Sequence, residues 1–235
     1  MPLALLAQPK AISLLKDHSH TQKGVRIYLE KKIPLSSGLG GGSSNAAVVL
    51  NVLNTIWNLK INAATLHDLS SLVGSDVPFF MKGGTALSHG RGEKVKRLPK
   101  IRKLWILLVP EKNVIQNKTQ KIYTNLKPSS YTDGSYTLKL QKTIEKTQKI
   151  SNLSIMNSLK ESAMQIFPNL KATESKMIQA GAKTVNLSGS GPTLFSIFNT
   201  KKEAQRVKQI LKEFPVDSIL TTTIDDSRWN KSCME

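Results

Sequence analysis

The chain has 235 residues, enough for one large domain or two small ones around a sizeable core. Hydrophobic residues make up 39%, and 14 glycines bring the apolar share near the globular average, which excludes disorder for the bulk of the chain. Thirty-four Lys and Arg against 16 Asp and Glu leave a net charge of +18, which suits nucleic acid, anionic lipid or phosphorylated small molecules.

Met1–Ala7 is apolar but has no cationic residue before it, and Gln8, Pro9 and Lys10 interrupt it. It reads as part of a helix that continues over residues 10–16, not as a leader. Val25, Ile27 and Leu29 alternate with Arg26, Tyr28 and Glu30, the period of a strand, which Pro34 ends. Gly38–Gly42 fits neither helix nor strand interior. Ser43, Ser44 and Asn45 then suit the cap of a helix carrying Ala46, Ala47, Val49, Leu50, Leu53, Ile56 and Trp57. Asn62 caps a further helix, with Leu66, Leu69, Leu72 and Val73 facing inward, and Gly74 stops it. Residues 83–88 and 93–97 form a short hairpin across His89–Gly92.

Leu104–Val109 is the longest apolar run, a buried strand too short to span a bilayer as a helix. A polar, lysine-rich stretch follows from about Lys112 to Lys149, with turns at Pro128 and Asp133-Gly134. Helices fit residues 155–166, 170–180 and 201–214; strands fit 184–187, 193–198 and 218–224. From Leu104 on, the order is strand, helix, strand, strand, helix, strand, that of a ferredoxin-like layer. The fold class is therefore α+β with two lobes, divided as residues 1–103 and 104–235. Asp225–Glu235 reads as a loose tail.

Two basic groups stand out: Lys94, Lys96, Arg97, Lys100, Arg102 and Lys103, then Lys139, Lys142, Lys146 and Lys149. No aromatics interleave with them, which argues against nucleic acid and for a solvated lysine-rich surface. Cys233 is the only cysteine, so an intramolecular disulfide and a cysteine-built metal site are excluded, and a cytoplasmic location fits best. His67 and His89 have no partner pattern, and no residues are assigned as metal ligands. Nothing in the sequence sets the oligomeric state.

Gly38–Asn45 is the most informative segment. Its glycines let backbone N–H groups approach an anion, and it runs into a helix N-terminus, where unpaired N–H groups and the helix dipole favour phosphate. Ser43 and Ser44 add hydroxyls that suit a phosphate or a magnesium ion. The segment is neither a P-loop nor the dinucleotide fingerprint, since both spacings are wrong.

The run Pro34-Leu35-Ser36-Ser37-Gly38-Leu39-Gly40-Gly41-Gly42-Ser43-Ser44-Asn45-Ala46-Ala47 resembles the nucleotide-binding motif of the GHMP kinases. Gly74-Ser75-Asp76-Val77-Pro78-Phe79-Phe80, with Gly83–Ala86 and Gly90–Glu93, resembles the second block of the branch acting on 4-diphosphocytidyl-2-C-methyl-D-erythritol. Leu187–Phe195, with Ser188-Gly189-Ser190-Gly191, resembles the family's third motif.

The resemblance implies a two-lobed fold with a mixed sheet, incomplete here, in the N-terminal ATP-binding lobe and a ferredoxin-like C-terminal substrate lobe. It implies ATP and Mg2+ as cofactors and a phosphorylatable small molecule as partner, without a membrane. Asp76 is implied as the catalytic acid beside the substrate hydroxyl, acting as base or orienting group. The nucleotide falls to Pro34, Gly38, Leu39, Gly40, Gly41, Gly42, Ser43, Ser44 and Asn45, with Lys31 as the nearby cation and Lys32 as its alternative. Gly189, Ser190 and Gly191 are implied on the substrate side. Tyr123 matches an aromatic that stacks on cytosine, and Thr119 shares its face if the segment is helical.

One family feature is absent. The first motif, a Lys-x-Asn-Leu segment followed by Asp-Gly-Tyr-His, has no counterpart, and its Lys is expected to work beside the acid of the second block. The expectation is a chain truncated at its N-terminus relative to the family, either a fragment or a short form that folds, with low or no turnover. The rivals are another GHMP kinase, of homoserine or mevalonate type, and a non-catalytic remnant that binds nucleotide or nucleic acid.

Overall fold

The computed structural model describes residues 3–111, 113, 115–150 and 155–224. They form two compact units. The first takes the chain up to Leu35 and Gly40–Lys100; the second takes Ser36–Leu39 and Ile101–Thr223. Lys112 and the Asp225–Glu235 tail lie outside the described residues.

The first unit is mostly helical: α1 (Leu3–Ser19), α2 (Gly41–Ile56), α3 (Ala63–Val73) and the single turn α4 (Val77–Phe80). Ala11 and Leu15 of α1, Ala46, Leu50 and Leu53 of α2, and Leu66 and Leu69 of α3 make its core. Pro9 lies inside α1, where its missing N–H forfeits one helical hydrogen bond. Asn62 caps α3 as expected, its Oδ1 accepting from the Thr65 N–H at 2.9 Å. Leu72 departs from the expected inward face and is 57% exposed. The hairpin is β1 (Ala86–His89) and β2 (Lys94–Arg97), antiparallel from Ala86↔Arg97 to His89↔Lys94.

The strand expected at residues 25–29 does not form. Residues 21–32 run without secondary structure, and Val25, Ile27 and Leu29 stand 38%, 42% and 42% exposed. A strand exists only through its ladder, and no described segment pairs with this one. The expected mixed sheet is therefore replaced, among the described residues, by the two-stranded antiparallel hairpin.

The second unit is built on β3 (Trp105–Val109), β4 (Asn186–Leu187), β5 (Leu194–Phe198) and β6 (Ile219–Thr222). Their order across the sheet is β4-β5-β3-β6, antiparallel throughout, with Trp105↔Phe198 and Trp105↔Thr222 in register. With β3 counted first, that is the 4-1-3-2 order of a ferredoxin-like layer. Leu107 and Val109 turn inward onto Leu170 and Met177 of α8 (Asn169–Gln179) and Ala204, Val207 and Leu211 of α9 (Lys201–Leu211). A reciprocal capping box of Thr200 and Glu203 starts α9. Helices α5 (Lys118–Thr124), α6 (Ser135–Thr147) and α7 (Lys160–Ile166) complete the unit.

Helix α7 begins later than the expected residue 155. The Asn157 side chain competes for the backbone there: its Oδ1 accepts from the Leu159 N–H at 2.9 Å, and its Nδ2 donates to Leu187 O at 3.0 Å and Gly189 O at 2.8 Å.

Candidate active site

Helix α2 starts at least three residues earlier than the sequence suggests. Its N-cap is Gly40, left-handed at φ 68°, and no side chain caps the helix. Ser43, Ser44 and Asn45, expected as caps, lie inside the first turns instead. The Ser44 N–H bonds back to Gly40 O at 2.9 Å, while the N–H groups of Gly41, Gly42 and Ser43 have no carbonyl a turn behind them. These donors and the positive helix end suit phosphate oxygens.

Neighbouring side chains shape this end. The Phe80 ring lies where a Gly40 side chain would stand, and Ile33 Cγ2 would be 3.1 Å from a Cβ on Gly41. With its amide turned so that both ends are satisfied, Asn45 bridges the turn to a cation: its Nδ2 donates to Gly41 O at 3.3 Å and its Oδ1 accepts from Lys31 Nζ at 3.2 Å. Lys32 instead pairs with Glu30 at 3.7 Å in the open. Of the two lysines, Lys31 is therefore the one at the helix end. Pro34 is exposed just before the turn at Leu35.

Asp76 belongs to the same unit. It precedes α4, is exposed, and its carboxylate makes no cap hydrogen bond. The four residues of α4 rise about 6 Å, so Asp76 stands one turn from Phe80, the residue covering Gly40. Gly92, at φ 117°, lies beside it: a Cβ there would sit 3.6 Å from Asp76 Oδ1. Gly74 ends α3 as expected, in an extended conformation (φ −179°).

The first half of the glycine motif, Ser36–Leu39, packs within the second unit on the turn before β5. Ser188 Oγ donates to Gly38 O at 2.9 Å, and the Thr193 N–H donates to Ser37 O at 3.1 Å. The Gly191 N–H closes the turn onto Ser188 O at 2.7 Å. Gly38 is left-handed at φ 80°, and a Cβ on it would meet Ser188 O and Gly191 O.

Lys118 ties these pieces together, and the sequence reading missed it. It is only 7% exposed; its Nζ donates to Ser36 O at 3.0 Å and also to Gly191 O. Burial pushes its ammonium down from 10.5 to about 8. The available signal was helical spacing. On α5, Lys118 and Ile122 face inward, and Thr119 and Tyr123 lie on the exposed face, Tyr123 at 56%. Thr119 Oγ1 is 3.3 Å from Ser190 Oγ, so the structure brings Thr119 onto the Gly189–Gly191 turn. Asn157, also missed, holds that turn from the other side through Gly189 O.

Lys118 gives a pH test. Between about 8 and 10.5 the unfolded chain keeps a proton that the folded chain has released, so stability rises with pH in that window. Relative to Lys118→Met, the wild type should gain about 1 kcal/mol per pH unit there, and below pH 8 the difference should be flat. Urea titrations across pH 7 to about 10 read this directly.

The GHMP kinases N terminal domain matches residues 6–84 and the GHMP kinases C terminal domain matches residues 139–217. A 4-diphosphocytidyl-2-C-methyl-D-erythritol kinase of Dehalococcoides mccartyi is 38% identical over 92% of this chain and 76% of its own length. The chain belongs to the GHMP kinase family. A second relative of the same name, from Enterococcus faecalis, is 33% identical over 92% of this chain and 75% of its own. Among solved structures, a 4-(cytidine 5'-diphospho)-2C-methyl-D-erythritol kinase superposes with a TM-score of 0.74 at 29% identity, covering 92% of this chain and 77% of that one. A homoserine kinase from Cytophaga hutchinsonii reaches 0.73 at 18% identity over 93% and 76%, which shows the shared fold alone.

Among the described residues no cluster of three or more His, Cys, Asp or Glu side chains could hold a metal ion. No described helix is long and apolar enough to cross a membrane.

Proposed function

We propose that the chain is a cytoplasmic kinase that transfers the γ-phosphate of ATP to the 2-hydroxyl of 4-diphosphocytidyl-2-C-methyl-D-erythritol. The observation that carries phosphoryl transfer is the uncapped, glycine-built N-terminus of α2 in the same unit as the exposed carboxylate of Asp76, which makes no cap hydrogen bond. The substrate rests on the relatives' names and identities. Fold likeness does not choose it, because the homoserine kinase superposes almost as well.

The free N–H groups of Gly41, Gly42 and Ser43 would hold phosphate oxygens, and Lys31 would add charge. ATP supplies the transferable phosphoryl group when bound, and magnesium neutralises its charge. The Ser44 hydroxyl donates to Gly41 O at 3.1 Å, so its lone pairs would be left to help hold the magnesium ion. The substrate oxygen bonds to the γ-phosphorus as the bond to the β–γ bridging oxygen breaks, and the substrate proton passes to Asp76. Lys118 and Asn157 act as positioning residues for the Ser188–Gly191 turn.

Thr119 and Tyr123 would receive the cytidine end. Tyr123→Ala should raise KM for the diphosphocytidyl substrate about tenfold, with KM for ATP and the urea midpoint unchanged, since the ring is exposed and stacking is worth about 1–3 kcal/mol. Steady-state kinetics with each substrate varied in turn checks this. A screen against homoserine and mevalonate tests the family-internal alternative.

A further inference from the structure

We propose a second anion site in the C-terminal unit, built for a compact small molecule bearing a diphosphate. The two basic runs of the sequence converge there. Arg102 and Lys103 end the first, Lys149 ends the second, and Lys183 joins them from the turn before β4. All four line one cavity of about 710 Å³, and no acidic residue is among its described lining residues. The Arg102 N–H donates to Gln148 O at 3.0 Å, so the two runs are fastened together by backbone.

The cavity holds unspent hydrogen-bonding capacity. None of the four cations forms an ion pair among the described residues. Thr184 also lines the cavity, and its buried hydroxyl has no hydrogen-bond partner among the described residues. Four like charges around one concavity repel one another, and a multivalent anion relieves that repulsion while the concave wall focuses the field. Diphosphate matches four cations better than a single carboxylate does.

The space suits a small molecule more than a nucleic-acid strand. Its volume lies in the range of small-molecule pockets, and no aromatic residue is among its described lining residues for base stacking. Trp105 is nearby, but the ammonium groups of Lys103 and Lys201 lie 5.2 and 5.6 Å from its ring centre.

The cavity is separate from the Ser188–Gly191 turn. Leu104 and Ile197 place it at the Trp105↔Phe198 end of the β3–β5 pair, whereas that turn leads into the Val109↔Leu194 end. Four residues of strand put about 13 Å between those ends. The inference does not depend on the kinase reading.

Trp105 is a local reporter, since Lys103 both lines the cavity and lies over its ring. The test titrates inorganic diphosphate into the full chain carrying Trp57→Phe and Trp229→Phe, with Trp105 emission and calorimetry read together. The expected result is one saturable emission change that tracks the heat and weakens about tenfold in Arg102→Ala/Lys183→Ala. Lys149→Ala should weaken it too, and circular dichroism should show every variant folded. Diphosphate binding that leaves Trp105 silent, or that the variants leave untouched, would overturn the proposal. So would a single-stranded oligonucleotide that displaces diphosphate and binds more tightly at equal salt, which would make the surface a strand-binding one.

Discussion

Asp76→Asn is expected to lower phosphate transfer by a factor of about 100 to 10,000, with little change in stability. The carboxylate is exposed and bonds to nothing in its own helix, so replacing it by an isosteric amide removes a proton acceptor and no structural contact. Val77 and Pro78, the buried residues that anchor α4, are untouched. KM for ATP should stay near the wild-type value, because the phosphate donors sit at the start of α2 and not on Asp76. Single-turnover assays with labelled ATP separate transfer from binding. A loss of no more than a few fold would make Asp76 an orienting group at most.

The second large effect is expected from Gly38→Ala. At φ 80° an alanine is strained by about 1–2 kcal/mol, and its Cβ would stand 2.6 Å from Gly191 O and closer still to Ser188 O. Those are backbone atoms and cannot swing aside as a side chain can. The Ser36–Leu39 segment would leave the turn, losing the Ser188 Oγ bond to Gly38 O and the Thr193 N–H bond to Ser37 O, and the Lys118 ammonium would lose its partner Ser36 O. Urea denaturation should show a loss of about 3 kcal/mol, and KM for ATP should rise. Gly134→Ala is the control: it has the same sign of φ, 78°, but a Cβ there meets nothing within 4 Å. Its loss should stop at the strain alone.

The sequence made legible what is encoded locally. Asn62 capped its helix, Thr119 and Tyr123 fell on one helical face, and the strand order from Leu104 onward yielded the ferredoxin-like sheet. The glycine motif was read as a phosphate site, and the structure leaves its helix end uncapped. What escaped the reading depends on partners distant in the chain. Val25–Leu29 has the alternation of a strand, yet alternation describes side chains and a ladder needs a neighbour. Ser43 and Ser44 looked like caps because the left-handed Gly40, which starts the helix earlier, has no sequence signature beyond being glycine. Lys118 lies unremarked in the lysine-rich stretch from Lys112 to Lys149, since nothing local says that the carbonyls of Ser36 and Gly191, 82 and 73 residues away, will converge on it.

The most direct test of the central claim is a competition for labelled ATP, with magnesium, among 4-diphosphocytidyl-2-C-methyl-D-erythritol, homoserine and mevalonate. Wild-type chain and Asp76→Asn would be run side by side after circular dichroism confirms that both are folded. Label is expected on the diphosphocytidyl substrate alone, even if turnover is slow, and is expected to be lost in Asp76→Asn. Label on homoserine or mevalonate, or transfer indifferent to Asp76→Asn, would contradict the claim, and no transfer at all from the folded chain would favour the non-catalytic remnant.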